Sequence, residues 1–255
     1  MYKIRQTENE VTKVTPKNIL CLFCLKQAQN VHTFHTIIYE VNGGRNMTPF
    51  YYNAFEQDAA LKLNREIHTT LRHFHASIDN IVILCIGTDR ATGDCLGPLV
   101  GEHLKKVLPN TPVYGTLKDP IHALNLEETI QNIYSNYEEP FIIAIDASLG
   151  IPEHIGYATL SPSPLIPGKG VNKKLPAIGN VSITGIVNVA GFPNSVLLQS
   201  TRLHTVMTLA NCISNAIYWY FVDIQTADKA SAASMDTLTL SLIHISEPTR
   251  LALIS

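Results

Sequence analysis

Apolar residues fall along the chain in two rhythms, unbroken runs of five or six and a recurrence every three or four positions, and together they lay out an alternating α/β order. Ile81 to Ile86 (IVILCI) and Phe141 to Ile145 (FIIAI) are continuous apolar runs, the signature of strands buried on both faces of a parallel sheet. From Ala54 to Ala76, Leu61, Leu63, Ile67, Leu71 and Phe74 recur at spacings that predict an amphipathic helix packed outside that sheet. After the first run, the turn GTDRATG leads into a helix from about Cys95 to Leu108, stopped by Pro109. Val113 to Leu117 predicts a short strand, and Leu124 to Asn136 a helix with Leu126, Ile130 and Ile133 on one face. The second apolar run closes a βαβαβ unit, which requires parallel strands and right-handed crossovers.

Beyond it, Gly156 to Ser161 predicts another strand, followed by a loop holding Pro162, Pro164, Pro167, Gly168, Gly170 and Pro176. A loop of that length inside a domain points to function or motion. Val181 to Ala190 (VSITGIVNVA) reads as a last strand with a glycine interruption, and Gln199 to Phe221 as a closing helix. No repeat is visible.

The two ends read differently. Ala227 to Thr239 is small and polar without apolar period, and Leu240 to Arg250, LSLIHISEPTR, resembles the in-frame translation of a transposon-based sequencing adapter. Residues 227–255 are therefore expected to be a disordered tail outside the fold. Gly43, Gly44, Arg45 and Asn46 precede Met47, and the purine-rich codons of such residues can encode a ribosome-binding site. Residues 1–46 are accordingly expected to be an extension upstream of a natural start at Met47, leaving 47–226 as one domain. Cys21 and Cys24 form a CxxC in that extension, but no second Cys/His pair follows at zinc spacing.

Composition narrows the class. With 45% hydrophobic and 16% charged residues among 255, the chain can bury a substantial core. A formal net charge of −2 offers no bulk attraction to nucleic acid or to an anionic membrane, so neither is expected as a direct partner. The odd cysteine count of five, with Cys85 and Cys95 in or beside the first strand and turn, fits a reducing cytoplasmic compartment. The N-terminus lacks a signal-peptide core, and the apolar stretches are too short or too interrupted to span a bilayer.

Each long apolar run delivers an aspartate at or just past its carboxyl end: Asp94 after the first, Asp146 after the second. The crevice beyond the carboxyl ends of parallel strands is where open α/β sheets bind ligands. Asp94 alone could be a helix N-cap, and Asp146 alone could brace a loop; as a pair they invite a chemical reading. Two carboxylates in a poorly solvated cleft cannot both ionise cheaply, so one keeps a proton while the other stays anionic. Such a pair can activate water and protonate a carbonyl oxygen. Gly93, Gly97 and Ala147 would leave room for a substrate backbone. The other chemistry open to the pair is a shared divalent metal, which needs a third ligand; His122 and His204 are the nearest candidates by sequence, although a structural role suits each. Otherwise no cofactor is expected. His68, His73 and His75 lack metal-ligand spacing. Cys95, at a helix N-terminus, is a candidate nucleophile that lacks a placed partner histidine. The turn GTDRATGDCLG lacks GxGxxG order and puts an anion where a pyrophosphate would sit, which disfavours nucleotide binding.

On CIGTDRATGDCLGPLVG, VYGTLKDPIHALNL, FIIAIDASLG, PGKGV and GIVNVAGF, spread over about 54–221, the chain resembles the YyaC family of sporulation proteins. More distantly, TGDCLGPLV is similar to the TPDALGP-type signature of the spore germination protease, with Gly93 in place of the proline, and IAID to that enzyme's second aspartate strand. The resemblance, extended by hydrogenase maturation proteases of similar layout, implies a three-layer α/β/α sandwich with a mostly parallel sheet. It also implies a sporulation-associated intracellular endopeptidase, in the forespore or spore core, with Asp94 and Asp146 catalytic and small spore proteins among its substrates. Pro167 to Lys173 (PGKGVNK) is similar to a glycine-rich loop of the germination protease. Gly168, Gly170 and Lys173 thereby join Gly93 and Gly97 as expected substrate contacts, with Thr92 and His122 as accessory groups. The alternative expectation is an inactive sporulation factor that binds a peptide or protein in the same cleft.

Overall fold

A computed structural model of the protein describes residues 49–166, 177–191 and 193–245, with side chains through residue 227. Cys21, Cys24, Met47, Gly168, Gly170, Lys173 and the 246–250 part of the adapter-like segment lie outside the described residues. The elements run β1 (Phe50–Asn53), α1 (Ala59–His73), β2 (Ile81–Cys85), α2 (Leu96–Val107), β3 (Val113–Tyr114), α3 (Leu126–Asn136), β4 (Phe141–Gly150), β5 (Tyr157–Ser161), β6 (Val181–Val189), α4 (Asn194–Gln199) and α5 (Leu203–Ile245).

Six strands form one sheet in the order β1-β5-β6-β4-β2-β3. β3, β2, β4 and β6 are mutually parallel, whereas β5 runs antiparallel to β6 and β1 antiparallel to β5. The expected βαβαβ order is present, and the strands that read as unbroken apolar runs stand at its centre. Ile81 to Cys85 are all buried and pair in register with Phe141 to Ile145.

Alternation along the central strands separates two cores. Ile81, Ile83, Cys85, Ile143 and Ile145 face one side, against Leu63 and Ile67 of α1, Leu96, Val100 and Leu104 of α2, and Val206, Ile213 and Phe221 of α5. Val82, Leu84, Ile142 and Ala144 face the other, against Leu126 and Ile133 of α3. This is a three-layer α/β/α arrangement around a mostly parallel sheet. Each fully buried Leu or Ile contributes about 1.5–3 kcal/mol of transfer free energy, so the sheet centre is the rigid part of the molecule.

The fold departs from the sequence expectation in several places, among them a short helix α4 ahead of a closing helix that begins at Leu203 and not at Gln199. β1 was not foreseen: Phe50 pairs with Leu160 far along the chain, and a four-residue edge strand with Phe50 and Tyr51 exposed carries no local signal. β4 continues past Ile145 to Gly150 because β6 accompanies it that far, through a register shift between Ser148 and Leu149. α5 does not end near Phe221; its backbone stays helical to Ile245, through much of the segment expected to be a disordered tail. That stretch is rich in alanine and contains neither glycine nor proline to stop a helix.

Candidate active site

The connections that leave the carboxyl ends of β2 and β4 diverge, toward β3 from the one and toward β5 and β6 from the other. β2 passes through α2, on one face, to the edge strand β3; the chain returns through α3, on the other face, to β4 beside β2. Adjacent parallel strands whose connections diverge in this way open a crevice at their carboxyl ends. Both aspartates stand there.

Asp94 reaches its place by a reversal of the chain. Ile86 is still held in the sheet, its N–H donating to Ile145 O at 2.7 Å. Gly87 then turns at φ +138°, where an added Cβ would lie 2.0 Å from the Asp94 carbonyl oxygen. Only glycine serves there, since the backbone is in a region other residues avoid and the space is filled. The loop returns through a 3₁₀ turn, Gly93–Cys95. Thr88 N–H donates both to Asp94 O and to its carboxylate Oδ2, each at 3.1 Å. The carboxylate therefore points back over the Gly87 turn. α2 takes Cys95 as its N-cap residue with no side-chain cap bond, so Asp94 does not cap that helix.

Asp146 is the first residue of β4 beyond the paired part of β2, and it lies in register with Thr184 of β6. Its Oδ1 accepts from the Ala147 N–H at 2.7 Å. Part of its surface still reaches solvent, but the protein crowds its carboxyl enough that burial, reinforced by the negative charge of Asp94 and opposed by the Ala147 N–H, pushes its pKa to about 8. Asp94 is also raised by burial, against the Thr88 N–H and the nearby His122, which both favour its anion. Neighbouring carboxylates thus differ in environment, with Asp94 the more readily ionised and Asp146 the natural holder of the proton near neutral pH.

His122 follows Ile121, which bridges to Ile86 in parallel. Its N–H donates to Asn125 Oδ1 at 2.8 Å, and Asn125 Nδ2 donates to Pro120 O at 3.0 Å, so the turn that carries the imidazole is braced. His122 is thereby brought to the site as an electrostatic neighbour of Asp94.

The other expected residues divide. At Gly97 an added Cβ would meet Ile86 O at 2.0 Å, and at Gly93 it would meet Thr201 Oγ1 at 2.8 Å and Leu198 O at 3.0 Å. The room these glycines leave is filled by protein: Gly97 seats α2 on β2, and Gly93 seats the Asp94 turn against the end of α4. Both glycines thereby shape the site by close packing. Thr92 precedes the 3₁₀ turn, and its carbonyl accepts from the Cys95 thiol at 2.9 Å. Burial, with the charge of Asp94 added, pushes that thiol up, which contradicts the activated-nucleophile reading of Cys95. His204 pairs with the Phe55 ring at 5.8 Å, His68 with Asp223 at 3.1 Å, and His73 with the edge of Phe74.

Among the described residues no group of three or more His, Cys, Asp and Glu side chains is arranged to hold a metal ion. Asp94 and Asp146 offer carboxylate oxygens, and no third donor is arranged with them among the described residues.

One part of the surroundings was missed. On the face that carries Asp146, the strands beyond the reach of α3 present Ser148, Thr159, Ser161, Ser182 and Thr184 around a hollow of about 520 Å³. The alternation of Ser and Thr in VSITG and YATLS was the available signal.

The fold and site together define a three-layer α/β/α protein with a paired-carboxylate crevice at its topological switch point. The chain belongs to the family described as "Protein of unknown function (DUF1256)", which matches residues 51–216. It is 44% identical over 168 residues to the "Uncharacterized protein YyaC" of Bacillus subtilis (strain 168), covering 66% of this chain and 81% of the relative. A solved hydrogenase maturation protease, HycI from Thermococcus kodakarensis KOD1, overlaps 59% of this chain and 97% of its own with 18% identity and a TM-score of 0.42.

Proposed function

We propose that the protein is a peptide-bond hydrolase whose working groups are Asp94 and Asp146, acting during sporulation in the cytoplasm of the forespore or spore core. The observation that carries the reading is the electrostatic coupling of two carboxylates of unequal environment in the switch-point crevice. The similarity of TGDCLGPLV and IAID to the aspartate segments of the spore germination protease supports it.

In this reading the Asp94 carboxylate takes a proton from a water that attacks the scissile carbonyl carbon, while protonated Asp146 gives its proton to the carbonyl oxygen. A neutral tetrahedral diol forms. Asp94 then returns its proton to the departing amide nitrogen as the C–N bond breaks, and Asp146 recovers one from a diol hydroxyl. Both groups end as they began, and one water has been consumed. A net charge of −2 does not repel basic substrates such as small spore proteins.

The test is digestion of a mixed extract of small spore proteins by the full chain, wild type beside Asp94→Asn and Asp146→Asn, with and without chelator. The expected result is cleavage by wild type, a loss of at least about 100-fold in each variant, and no effect of chelator. Chelator sensitivity would move the chemistry to a metal held by the pair. Absence of cleavage by folded wild type would favour a factor that binds a peptide or protein without cutting it.

A further inference from the structure

The central sheet changes character along one face. Under α3 the residues on that face are Val82, Leu84, Ile142 and Ala144, all buried and apolar. Beside Asp146, across β6 and β5, and at Ser148 beyond it, the same face carries the hydroxyls of Ser148, Thr159, Ser161, Ser182 and Thr184, which line the hollow together with His154, Tyr51 and the apolar Ile151 and Ile186. A sheet face left to solvent usually carries long charged side chains. Among the described residues its lining holds no Asp, Glu, Lys or Arg, and Ser182 and Thr159 are buried at 5% and 7% exposure.

The hydroxyls are already ordered by one another. Thr159 Oγ1 and Thr184 Oγ1 are 2.8 Å apart, Ser148 Oγ donates to Thr184 Oγ1 at 3.3 Å, and Ser182 Oγ donates to Ser163 O at 3.1 Å. A hydroxyl offers one donor and two acceptor positions, so a row paired in this way keeps acceptor capacity for N–H or O–H groups of a ligand. A charged group entering the hollow would lose hydration and meet no Asp, Glu, Lys or Arg among the described lining residues. The volume lies within the roughly 300–1,000 Å³ of small-molecule sites.

We propose that this hollow is a binding subsite for a neutral, hydroxyl- or amide-bearing stretch of an extended polypeptide. Its place relative to Asp146 sets the register. Asp146, Ser148 and Gly150 alternate along β4, and an extended chain advances about 3.3 Å per residue. Because Thr184 lies in register with Asp146 while Ser148 and Gly150 lie further along β4, the side chains received by the hollow lie within about four residues of the bond presented to Asp94 and Asp146. That register rests on the hydrolase reading, whereas binding to the hollow does not.

The experiment titrates full-length Asp94→Asn protein into three pools of fluorescein-labelled decapeptides and follows anisotropy. The central four positions are drawn from Ser, Thr, Asn and Gln in one pool, from Lys, Arg, Asp and Glu in the second, and from Val, Leu, Ile and Phe in the third. The neutral polar pool should bind most tightly, and Thr159→Val together with Thr184→Val should weaken it at least tenfold with circular dichroism unchanged. Because those two hydroxyls pair with each other, removing both keeps shape, and Ser148 Oγ, which loses Thr184 Oγ1, keeps Gly185 O as an acceptor at 3.3 Å. Absence of binding, equal binding of the charged or aliphatic pool, or indifference to the paired substitution would overturn the proposal. If wild type cleaves spore proteins yet binding ignores the hollow, this inference alone fails. If binding depends on the hollow and wild type cleaves nothing, the hydrolase reading alone fails.

Discussion

Asp146 carries a cost in the folded state that its ordinary environment in an unfolded chain would not impose. Its pKa rises from 3.8 to about 8, so between those values the folded protein holds a proton that the unfolded chain has released. Stability therefore falls as pH rises from about 4 to about 8. Asp146→Asn removes the charge and keeps the shape, so it should raise the melting temperature by little at pH 5 and by on the order of 5 °C at pH 8. Thermal unfolding of both proteins across that range checks the sign; a gain that shrinks with pH would contradict it. At this scale the sequence was informative about which residues matter and uninformative about their states. Two aspartates at strand ends were legible, but the direction of the Asp94 carboxylate, toward Thr88 and away from α2, depends on the Gly87 reversal. The hydrogen bond from the Cys95 thiol to Thr92 O is likewise a product of the turn, and burial, with the Asp94 charge added, raises that thiol's pKa and turns Cys95 away from a nucleophile's role.

Helix α2 is held to β2 by the absence of side chains. Gly97 lies on the carbonyl of Ile86, and Gly101 approaches Gly115 O so closely that an added Cβ would stand 1.9 Å from it. Gly97→Ala must push the start of α2 off the strand, and the Asp94 turn with it. The expected cost is about 1–3 kcal/mol or more, measured by denaturant unfolding, together with a loss of the Asp94–Asp146 coupling that an Ala substitution on the exposed face of α2, such as Lys105→Ala, leaves intact. Elements with a dense local pattern were readable from sequence: β2, β4, α1, α2 and α3 all lie where the apolar rhythm put them. Those defined by a distant partner were not. β1 exists because Phe50 to Asn53 pair with Tyr157 to Leu160, and the outer half of β4 because β6 runs beside it. α4 is a single short helix whose end is fastened by Asn188 Nδ2 donating to Leu197 O at 2.8 Å, a contact no local pattern announces.

At the level of the whole molecule, the sheet is a platform with two uses. Its apolar half, sandwiched between helices, fixes β2 and β4 side by side and so fixes the distance between two carboxylates. Its hydroxyl-bearing half runs from the same crevice toward the β1 edge. None of the described helices is long and apolar enough to cross a membrane. The function assigned to this platform stands or falls with the paired aspartates sharing a proton, and that can be read directly by ¹³C NMR titration of the aspartate side-chain carboxyls in the full chain. Asp146 should titrate near pH 8 in the wild type and at lower pH in Asp94→Asn, where the neighbouring negative charge is gone. An Asp146 that titrates near 4, or one whose titration ignores Asp94→Asn, would contradict the account.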